Sequence, residues 1–302
     1  MPFRLTILGS SSAIPVFDRM PTAQVLQAGE ALSLIDCGEG TQVQLRRFGI
    51  RMQRIQQIFI SHLHGDHFFG LVGLISTLNL LGRTNSLTIY ADPRLESLVM
   101  DQLAVTETEL RFPLVFIPLR EGYHGVIHED KRITVEVFPL NHRIPTFGFL
   151  FRERPKLRNV VRERLAEVEV PVDAWTRIRA GEDFIDEKGR VFRNEDITMP
   201  APEPRSYAFV SDTLYDPSLT RFVEGVDLLY HEATFMHEME KVAAEKMHST
   251  AMQAALFAKA AGVRQLLIGH FSARYRDIQP LLDEALSVFP ATLAGTEGTV
   301  ID

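Results

Sequence analysis

The sequence contains very little cysteine, since Cys37 is the only one among its 302 residues. An internal disulfide and metal sites built from several thiolates are therefore excluded, and a reducing compartment is expected. Positive charge is not in excess either, because 32 Lys and Arg stand against 39 Asp and Glu, a net charge of −7. Binding of nucleic acid by bulk attraction is therefore excluded, and a polyanionic partner would have to meet a local basic patch.

Long apolar runs are also lacking. No stretch has the length of a membrane span, and the start MPFRLTILGS lacks the apolar core of a signal peptide. The 45% hydrophobic content allows a large core, in one large α/β domain or two smaller ones. We therefore expect a cytoplasmic protein without a membrane partner.

Strand-like and helix-like segments alternate in the first and last thirds of the chain, which indicates α/β layering. Strands are predicted over residues 3–8, 31–35, 55–60, 87–90, 207–210, 228–230 and 265–268. Helices are predicted over about residues 40–48, 68–81, 93–103, 249–261 and 278–288. The stretch 114–151 is strand-rich. Residues 152–205 are charged, contain several prolines and have few apolar runs, so we interpret them as an arm inserted into a domain spanning 1–302.

Metal-ligand residues cluster at positions 62–67, which read HLHGDH. His62 and His64 are two positions apart in an extended segment, so their side chains can reach the same side of it. Asp66 and His67 lie past Gly65 and can turn toward a second metal position. Imidazole and carboxylate together suit zinc, and they also fit manganese or iron. Four ligands in six positions predict two adjacent ions rather than one.

Three more ligand candidates each follow a strand-like run, where a side chain projects from the sheet edge into a common crevice. They are His142, Asp212 and His270. Asp212 is suited to bridge two ions, because a carboxylate has two oxygens. The ligand count is then full, so Asp36 is predicted to support a ligand or a turn. His124, His128 and His237 have no supporting spacing and are predicted to lie on the surface.

These ligand motifs resemble those of the metallo-β-lactamase superfamily. The segments DCGEGTQ (36–42), HEATF (231–235), HST (248–250) and SARY (272–275) are similar to signatures of the tRNase Z family. The resemblance implies a four-layer αββα sandwich, two zinc ions per chain, a homodimer and hydrolytic removal of 3′ extensions from precursor tRNA. It also implies one ion on His62, His64 and His142, another on Asp66, His67 and His270, and Asp212 as the bridge.

Phosphodiester cleavage also requires a proton for the departing ribose oxygen. His248 is the candidate general acid because imidazole titrates near neutral pH, and Glu232 is its candidate partner. The competing interpretation is that His248 starts the helix predicted from residue 249. Asp66 is a candidate for orienting the attacking water.

The predicted arm begins with a basic stretch. Residues 152–164 hold six Lys and Arg against two Glu, a local charge of +4, which fits either a solvated face or an RNA-facing patch. Lys156, Arg158 and Arg162 are its candidate tRNA contacts. Compared with the family, the arm has Val172 and Asp173 where a Gly-Pro pair is expected. Arg274 is a candidate phosphate contact or a stack on an aromatic ring.

Two other functions remain open on sequence alone. A hydrolase of the same superfamily could use these metal ligands on a small phosphodiester, aryl sulfate or lactone. A metal-stabilised binding protein would need no catalysis. The inserted arm and the His248–Glu232 pair favour the nuclease over both, because neither alternative requires them.

Overall fold

A computed structural model describes residues 2–166 and 169–302. The first part of the chain alternates strands and helices. Its strands are β1 Phe3–Gly9, β2 Ala23–Ala28, β3 Ala31–Ile35, β4 Ile55–Phe59, β5 Leu87–Ala91 and β6 Leu114–Pro118. Its helices are α1 Thr41–Arg47, α2 Gly65–Phe68, α3 Leu71–Leu80 and α4 Arg94–Val105. Six predicted elements thus lie where the hydrophobic pattern placed them, within a few residues. The helix predicted over 68–81 was wrong at its start, because α3 begins only after Gly70.

The remaining elements complete the layers. The strands are β7 Gly125–Glu129, β8 Ile133–Leu140, β9 Thr146–Glu153, β10 Asn159–Val160, β11 Phe184–Ile185, β12 Val191–Phe192, β13 Thr198–Met199, β14 Ser206–Val210, β15 Leu228–Glu232, β16 Gln265–Gly269, β17 Thr292–Ala294 and β18 Val300–Ile301. The helices are α5 Val172–Ala180, α6 Asn194–Ile197, α7 Glu240–Glu245, α8 Ala251–Ala260 and α9 Gln279–Val288. Short 3₁₀ helices cover Met52–Arg54, Arg162–Leu165, Pro217–Phe222 and His237–Met239.

Two seven-stranded sheets form the centre of the fold. The first has the order β18-β1-β2-β3-β4-β5-β6, and the second has the order β17-β16-β15-β14-β9-β8-β7. Strands β3 to β6 pair in parallel, as do β14 to β17, so the carboxyl ends of these strands meet at one edge of each sheet. Ligand sites in α/β sheets form at such edges.

Three apolar layers hold the sheets and helices together. Side chains from both sheets, among them Phe59, Phe149 and Tyr230, form the layer between them. A second layer joins the first sheet to α1, α3 and α4, and a third joins the second sheet to α8 and α9. This order of layers is the predicted αββα sandwich, and the fold prediction is confirmed.

The chain divides into two compact units. Unit 1 comprises Met1–Arg152 and Ser206–Asp302, and unit 2 is Glu153–Arg205, close to the bounds predicted for the arm. Unit 2 has its own small apolar cluster, which includes Leu165, Ile178 and Phe184. The arm was predicted to be poor in apolar runs. The sequence did not predict this apolar cluster, because its residues are scattered along the segment. Among the described residues, no helix is long and apolar enough to cross a membrane.

Candidate metal centre and active site

The predicted ligands lie at the carboxyl ends of strands. His62 and His64 follow β4, Asp212 follows β14 and His270 follows β16, while His142 follows β8. Asp66 and His67 lie in the one-turn helix α2. The extended backbone at His64 thus changes to helix at Gly65, which turns the second pair of ligands away from the first.

The first ligand set consists of His62, His64, His142 and Asp212. The Nδ1 atom of His64 lies 3.0 Å from Nε2 of His62 and 3.3 Å from Nε2 of His142. Oδ2 of Asp212 lies 3.6 Å from Nε2 of His62 and 4.0 Å from Nε2 of His142. Burial lowers the pKa of His62 well below its usual range, which favours the neutral imidazole that binds metal.

The second ligand set consists of Asp66, His67 and His270, joined by the other oxygen of Asp212. Oδ2 of Asp66 lies 3.5 Å from Nε2 of His67 and 3.4 Å from Nε2 of His270. Oδ1 of Asp212 lies 3.5 Å and 3.2 Å from the same two nitrogens. A tetrahedral zinc ion at about 2.0–2.1 Å from each ligand separates the ligands by about 3.4 Å. The spacing therefore matches a tetrahedral ion.

Buried polar atoms without partners mark this position. Nε2 of His67 and Oδ1 of Asp212 are fully buried and have no hydrogen-bond partner among the described residues. Leaving such atoms unpaired is costly, so they indicate a missing ligand. Because Asp212 directs one oxygen to each set, the donors fit two adjacent ions that share this carboxylate.

The second ring nitrogen of four ligand imidazoles is also engaged, which fixes each ring and its tautomer. His142 Nδ1 donates to the carbonyl oxygen of Met247 at 2.8 Å. His270 Nδ1 lies 2.9 Å from Oγ1 of Thr234, and His62 Nδ1 lies 3.0 Å from Oγ of Ser61. His67 Nδ1 donates to Oδ2 of Asp36 at 2.7 Å.

Asp36 thus lies behind a ligand rather than among the ligands. It is fully buried and also accepts the backbone N–H and the hydroxyl of Ser61, at 2.7 and 2.8 Å. Ser61 precedes His62, so one carboxylate fixes the start of the ligand cluster and the ring of His67.

Left-handed backbone conformations concentrate around this centre. Asp36, Met247 and His270 have φ angles of 56°, 58° and 60°, and Ala13 has 61°. Each contacts a ligand or is one, since the N–H of Ala13 donates to Oδ2 of Asp66 at 2.7 Å. Non-glycine residues adopt this conformation at a cost, and such strain clusters at functional sites.

His248 lies beside the ligands, with its Nδ1 at 2.9 Å from Oε1 of Glu232. The buried carboxylate of Glu232 also accepts backbone N–H groups of Thr213, Thr234 and Ser249 and the hydroxyl of Thr234. Burial opposes the charge on His248, but Glu232 and Asp212 outweigh it and raise the pKa of His248 to about 9. The protonated imidazole is therefore the stable form at neutral pH.

The helix after His248 does not depend on it. Thr250 is the N-cap of α8, where its hydroxyl accepts the N–H of Gln253 while the Gln253 side chain accepts the N–H of Thr250. This reciprocal pair satisfies the first turn. The competing interpretation of His248 as a helix start is therefore wrong, because Thr250 supplies the cap.

His248 could in principle join Asp212 and His270 around a metal ion, since the three lie close together. However, its Nδ1 is committed to Glu232 at 2.9 Å and lies 3.9 Å from Oδ2 of Asp212. Both oxygens of Asp212 already belong to the two ligand sets. His248 is therefore left outside both ligand sets.

A cleft of about 520 Å³ opens over the centre. It is lined by His64, Asp66, Asp212, His248 and His270. Phe69, Phe235 and Lys246 also line it, and sequence reasoning did not select Phe69 or Lys246, because neither belongs to a ligand motif.

Each candidate RNA contact has a partner within its own unit. In unit 2, Lys156 pairs with Glu153 at 2.9 Å, and Arg158 Nε donates to the Thr198 hydroxyl at 2.7 Å. The guanidinium of Arg162 lies 6.0 Å from the ring centre of Trp175. In unit 1, Arg274 lies 5.1 Å from the ring centre of Phe235, the aromatic stack considered from the sequence.

The prediction that His128 lies on the surface was wrong. The ring is partly buried, and the hydroxyl of Tyr90 lies 2.9 Å from its Nδ1. His124 is exposed and His237 is partly exposed, as expected for residues outside the site.

Comparisons with known proteins agree with this geometry. A family model described as anti-Pycsar protein Apyc1 matches residues 3–154. Ribonuclease Z of Parabacteroides distasonis is 45% identical over 296 residues, covering 98% of this chain and 97% of that protein. Ribonuclease Z of Cytophaga hutchinsonii is 45% identical over 300 residues, covering 99% and 96%.

A solved structure extends the likeness to the fold. The structure of human tRNase Z, short form, has a TM-score of 0.70 and 27% identity, and the match covers 99% of this chain and 98% of that one. The 45% identity to the two ribonuclease Z relatives extends over nearly the full length, and the sandwich and its paired ligand sets agree with it. The chain therefore belongs to the ribonuclease Z family, with the metallo-β-lactamase fold.

Proposed function

We propose that this chain is a zinc-dependent endoribonuclease that removes 3′ extensions from tRNA precursors by phosphodiester hydrolysis. The observation that carries the proposal is the position of Asp212, which directs one carboxylate oxygen to each of two ligand sets within reach of the His248–Glu232 pair. Two ions spaced by a shared carboxylate suit displacement at phosphorus. The similarity to ribonuclease Z and tRNase Z supports this substrate class.

His62, His64 and His142 would hold one zinc ion, Asp66, His67 and His270 would hold the other, and Asp212 would bridge them. When bound, the ions supply Lewis acidity that acidifies water and neutralises charge on the phosphoryl oxygens. Manganese or iron would fit the same imidazole and carboxylate donors.

Asp66 is proposed to orient the attacking water, whose proton would pass to solvent as the ions acidify it. Its carboxylate lines the cleft, and the backbone N–H of Ala13 fixes Oδ2 at 2.7 Å. Burial opposes its charge, but His67 and His270 hold the pKa of Asp66 far below its usual range, so it stays ionised. The loop containing Ala13 thus orients this carboxylate.

His248 donates the proton to the departing ribose oxygen. Its Nδ1–H is held by Glu232, so the remaining N–H, on Nε2, is free for the substrate. As water adds to phosphorus, the bond from phosphorus to the ribose oxygen breaks and that oxygen takes the proton from His248. The raised pKa of His248 keeps this proton available at neutral pH.

Unit 2 is proposed to bind the folded tRNA without taking part in the chemistry. Residues 153–205 contain 11 Lys and Arg against 12 Asp and Glu, so the unit as a whole is not basic. Its positive charge is concentrated in residues 153–164, which hold five Lys and Arg against two Glu, a local charge of +3. Recognition through this stretch would rest on phosphate contacts and on shape, as is common for structured RNA. A homodimer working in the cytoplasm is proposed on the family resemblance.

The alternative of a small-substrate hydrolase would use the same ligands without the arm. Cleavage of a tRNA precursor with a 3′ extension, compared with hydrolysis of a small aryl phosphodiester by the same zinc-loaded protein, separates the two. We expect cleavage of the precursor at the end of the acceptor stem and a much lower kcat/KM for the small diester. Efficient hydrolysis of the small diester without precursor cleavage would overturn the proposal.

A further inference from the structure

Phe69 is a large apolar side chain exposed beside the metal ligands. It is 68% exposed and lines the cleft together with His64 and Asp66. Its neighbour Phe68 packs against the apolar layer behind the first sheet, so the packing of this segment does not require a second aromatic residue in solvent. Exposed apolar surface in a cleft is typical of a ligand-binding site.

The ring of Phe69 is held in one place. A Cβ atom on Gly65 would lie only 2.2 Å from Cε2 of Phe69, so the ring lies directly over the α-carbon of Gly65. On another side, the Phe68 ring meets it edge to face at 5.0 Å between ring centres. A ring held in this way is preorganised, since little side-chain freedom is lost when a ligand covers it.

The position of the ring relates it to the scissile bond. Gly65 stands between the ligands His64 and Asp66, so the ring lies over the residue that separates the two ligand sets. A phosphodiester at the metal centre carries a nucleotide on each side of the phosphate. The flat partner within reach of Phe69 is therefore a nucleobase of one of these two nucleotides.

We propose that Phe69 is a stacking platform for the base of a nucleotide next to the scissile phosphate. Single-stranded nucleic acids bind to proteins through such base–aromatic stacking, which tolerates any sequence because every base has a π-face. This property suits an enzyme whose substrates carry 3′ extensions of different sequence. The inference rests on the proposed function, because it assumes an RNA substrate in the cleft.

The test compares Phe69→Ala, Phe69→Leu and Phe69→Trp in the zinc-loaded full-length protein. Loss of stacking should lower kcat/KM for a tRNA precursor by about 5- to 100-fold in the first two variants, and Phe69→Trp should restore it. Zinc content should be unchanged. Tyr123→Ala is the matched control, because Tyr123 is an aromatic residue 48% exposed and is not among the residues lining the cleft.

Gly65→Ala provides a second probe, which leaves the ring present but displaces it. The methyl group of the new alanine would collide with the Phe69 ring. The backbone at Gly65 is not left-handed, so the backbone itself accepts alanine. We expect Gly65→Ala and Phe69→Ala to lower kcat/KM by similar factors and the double variant to lose no more than either one. Additive losses would mean that Gly65 acts on the ligands and not on the ring.

Precursors with an abasic nucleotide on either side of the cleavage site identify the stacked base. One of them should be cleaved poorly by the native protein, and its cleavage should fall no further in Phe69→Ala. Native cleavage by Phe69→Ala would overturn the inference, as would its loss of zinc or a change in its oligomeric state from that of the native protein. If the native protein does not cleave the precursor at all, the proposed function fails instead.

Discussion

His248 donates its Nδ1–H to Oε1 of Glu232 at 2.9 Å, and the carboxylate that receives it is completely buried. Glu232 accepts four further hydrogen bonds from the backbone and side chain around it. These five hydrogen bonds hold the carboxylate in one orientation, so it fixes the imidazole through Nδ1. We propose that this pair supplies the proton that two metal ions alone would not.

Replacement of His248 by alanine tests that role. We expect kcat for a tRNA precursor to fall by about 10² to 10⁴, because a general acid typically contributes that factor. Zinc content and the Kd for the precursor should be preserved, since both ligand sets are complete without His248. Single-turnover kinetics and metal analysis measure the two quantities. Native kinetics in this variant would remove His248 from the mechanism.

The pH profile tests the coupling between Glu232 and His248. A general acid must be protonated, so activity is lost as pH rises through the pKa of His248, which is raised to about 9 in this structure. Glu232→Gln removes the neighbouring negative charge, and the alkaline limb of kcat should move to lower pH. Glu240→Gln is the control, because Glu240 is exposed and lies near His237 instead. An unmoved limb in Glu232→Gln would contradict the assignment.

Metal content distinguishes the bridging ligand from a ligand of one set. Asp212→Ala should weaken binding of both ions, because each oxygen of Asp212 faces a different set. His64→Ala should lose mainly the ion of the first set, with a corresponding loss of activity. Metal analysis after chelation and reloading with zinc gives the stoichiometry. Full activity with one ion per chain would exclude the paired centre.

Charge reversal tests the basic stretch of unit 2. Changing Lys156, Arg158 and Arg162 to Glu should weaken precursor binding and flatten its salt dependence, because fewer counterions are released. Hydrolysis of a small aryl phosphodiester should stay near native. Reversal of Arg111, Arg120 and Lys131 in unit 1 changes the net charge equally and serves as the control. Equal loss of both activities would show that the stretch supports the fold.

Among the described side chains that line the cleft, Lys246 is the one Lys or Arg. An anionic substrate there would meet its ammonium group, so Lys246→Gln should raise KM more than it lowers kcat. The slope of log affinity against log salt should fall by about 0.7–0.9, the value for one phosphate contact. Lys241→Gln, on the preceding helix and outside the cleft, should change neither. Equal slopes for both variants would rule out this contact.

The sequence by itself determined the ligand types and most of the elements that carry them. The spacing in HLHGDH and the apolar runs before His142, Asp212 and His270 are local signals, and strand ends place the residues that follow them at the sheet edge. Strand β2 and the short strands β17 and β18 were not predicted. Strands β17 and β18 have only three and two residues, which give little periodic signal, and their pairing with β16 and β1 is set by contacts distant in sequence.

Only the tertiary structure decided how the ligands share the metal ions and what supports them. The two directions of the Asp212 oxygens, the bonds from Ser61 and His67 to Asp36, and the exposed ring of Phe69 depend on distances between segments far apart in the chain. The break between α2 and α3 is also tertiary: Gly70 packs so closely on the carbonyl of Gly38 that a Cβ there would lie 2.2 Å from it. Hydrophobic periodicity indicates which face of a helix or strand is buried. It does not indicate which other segment of the chain packs against that face.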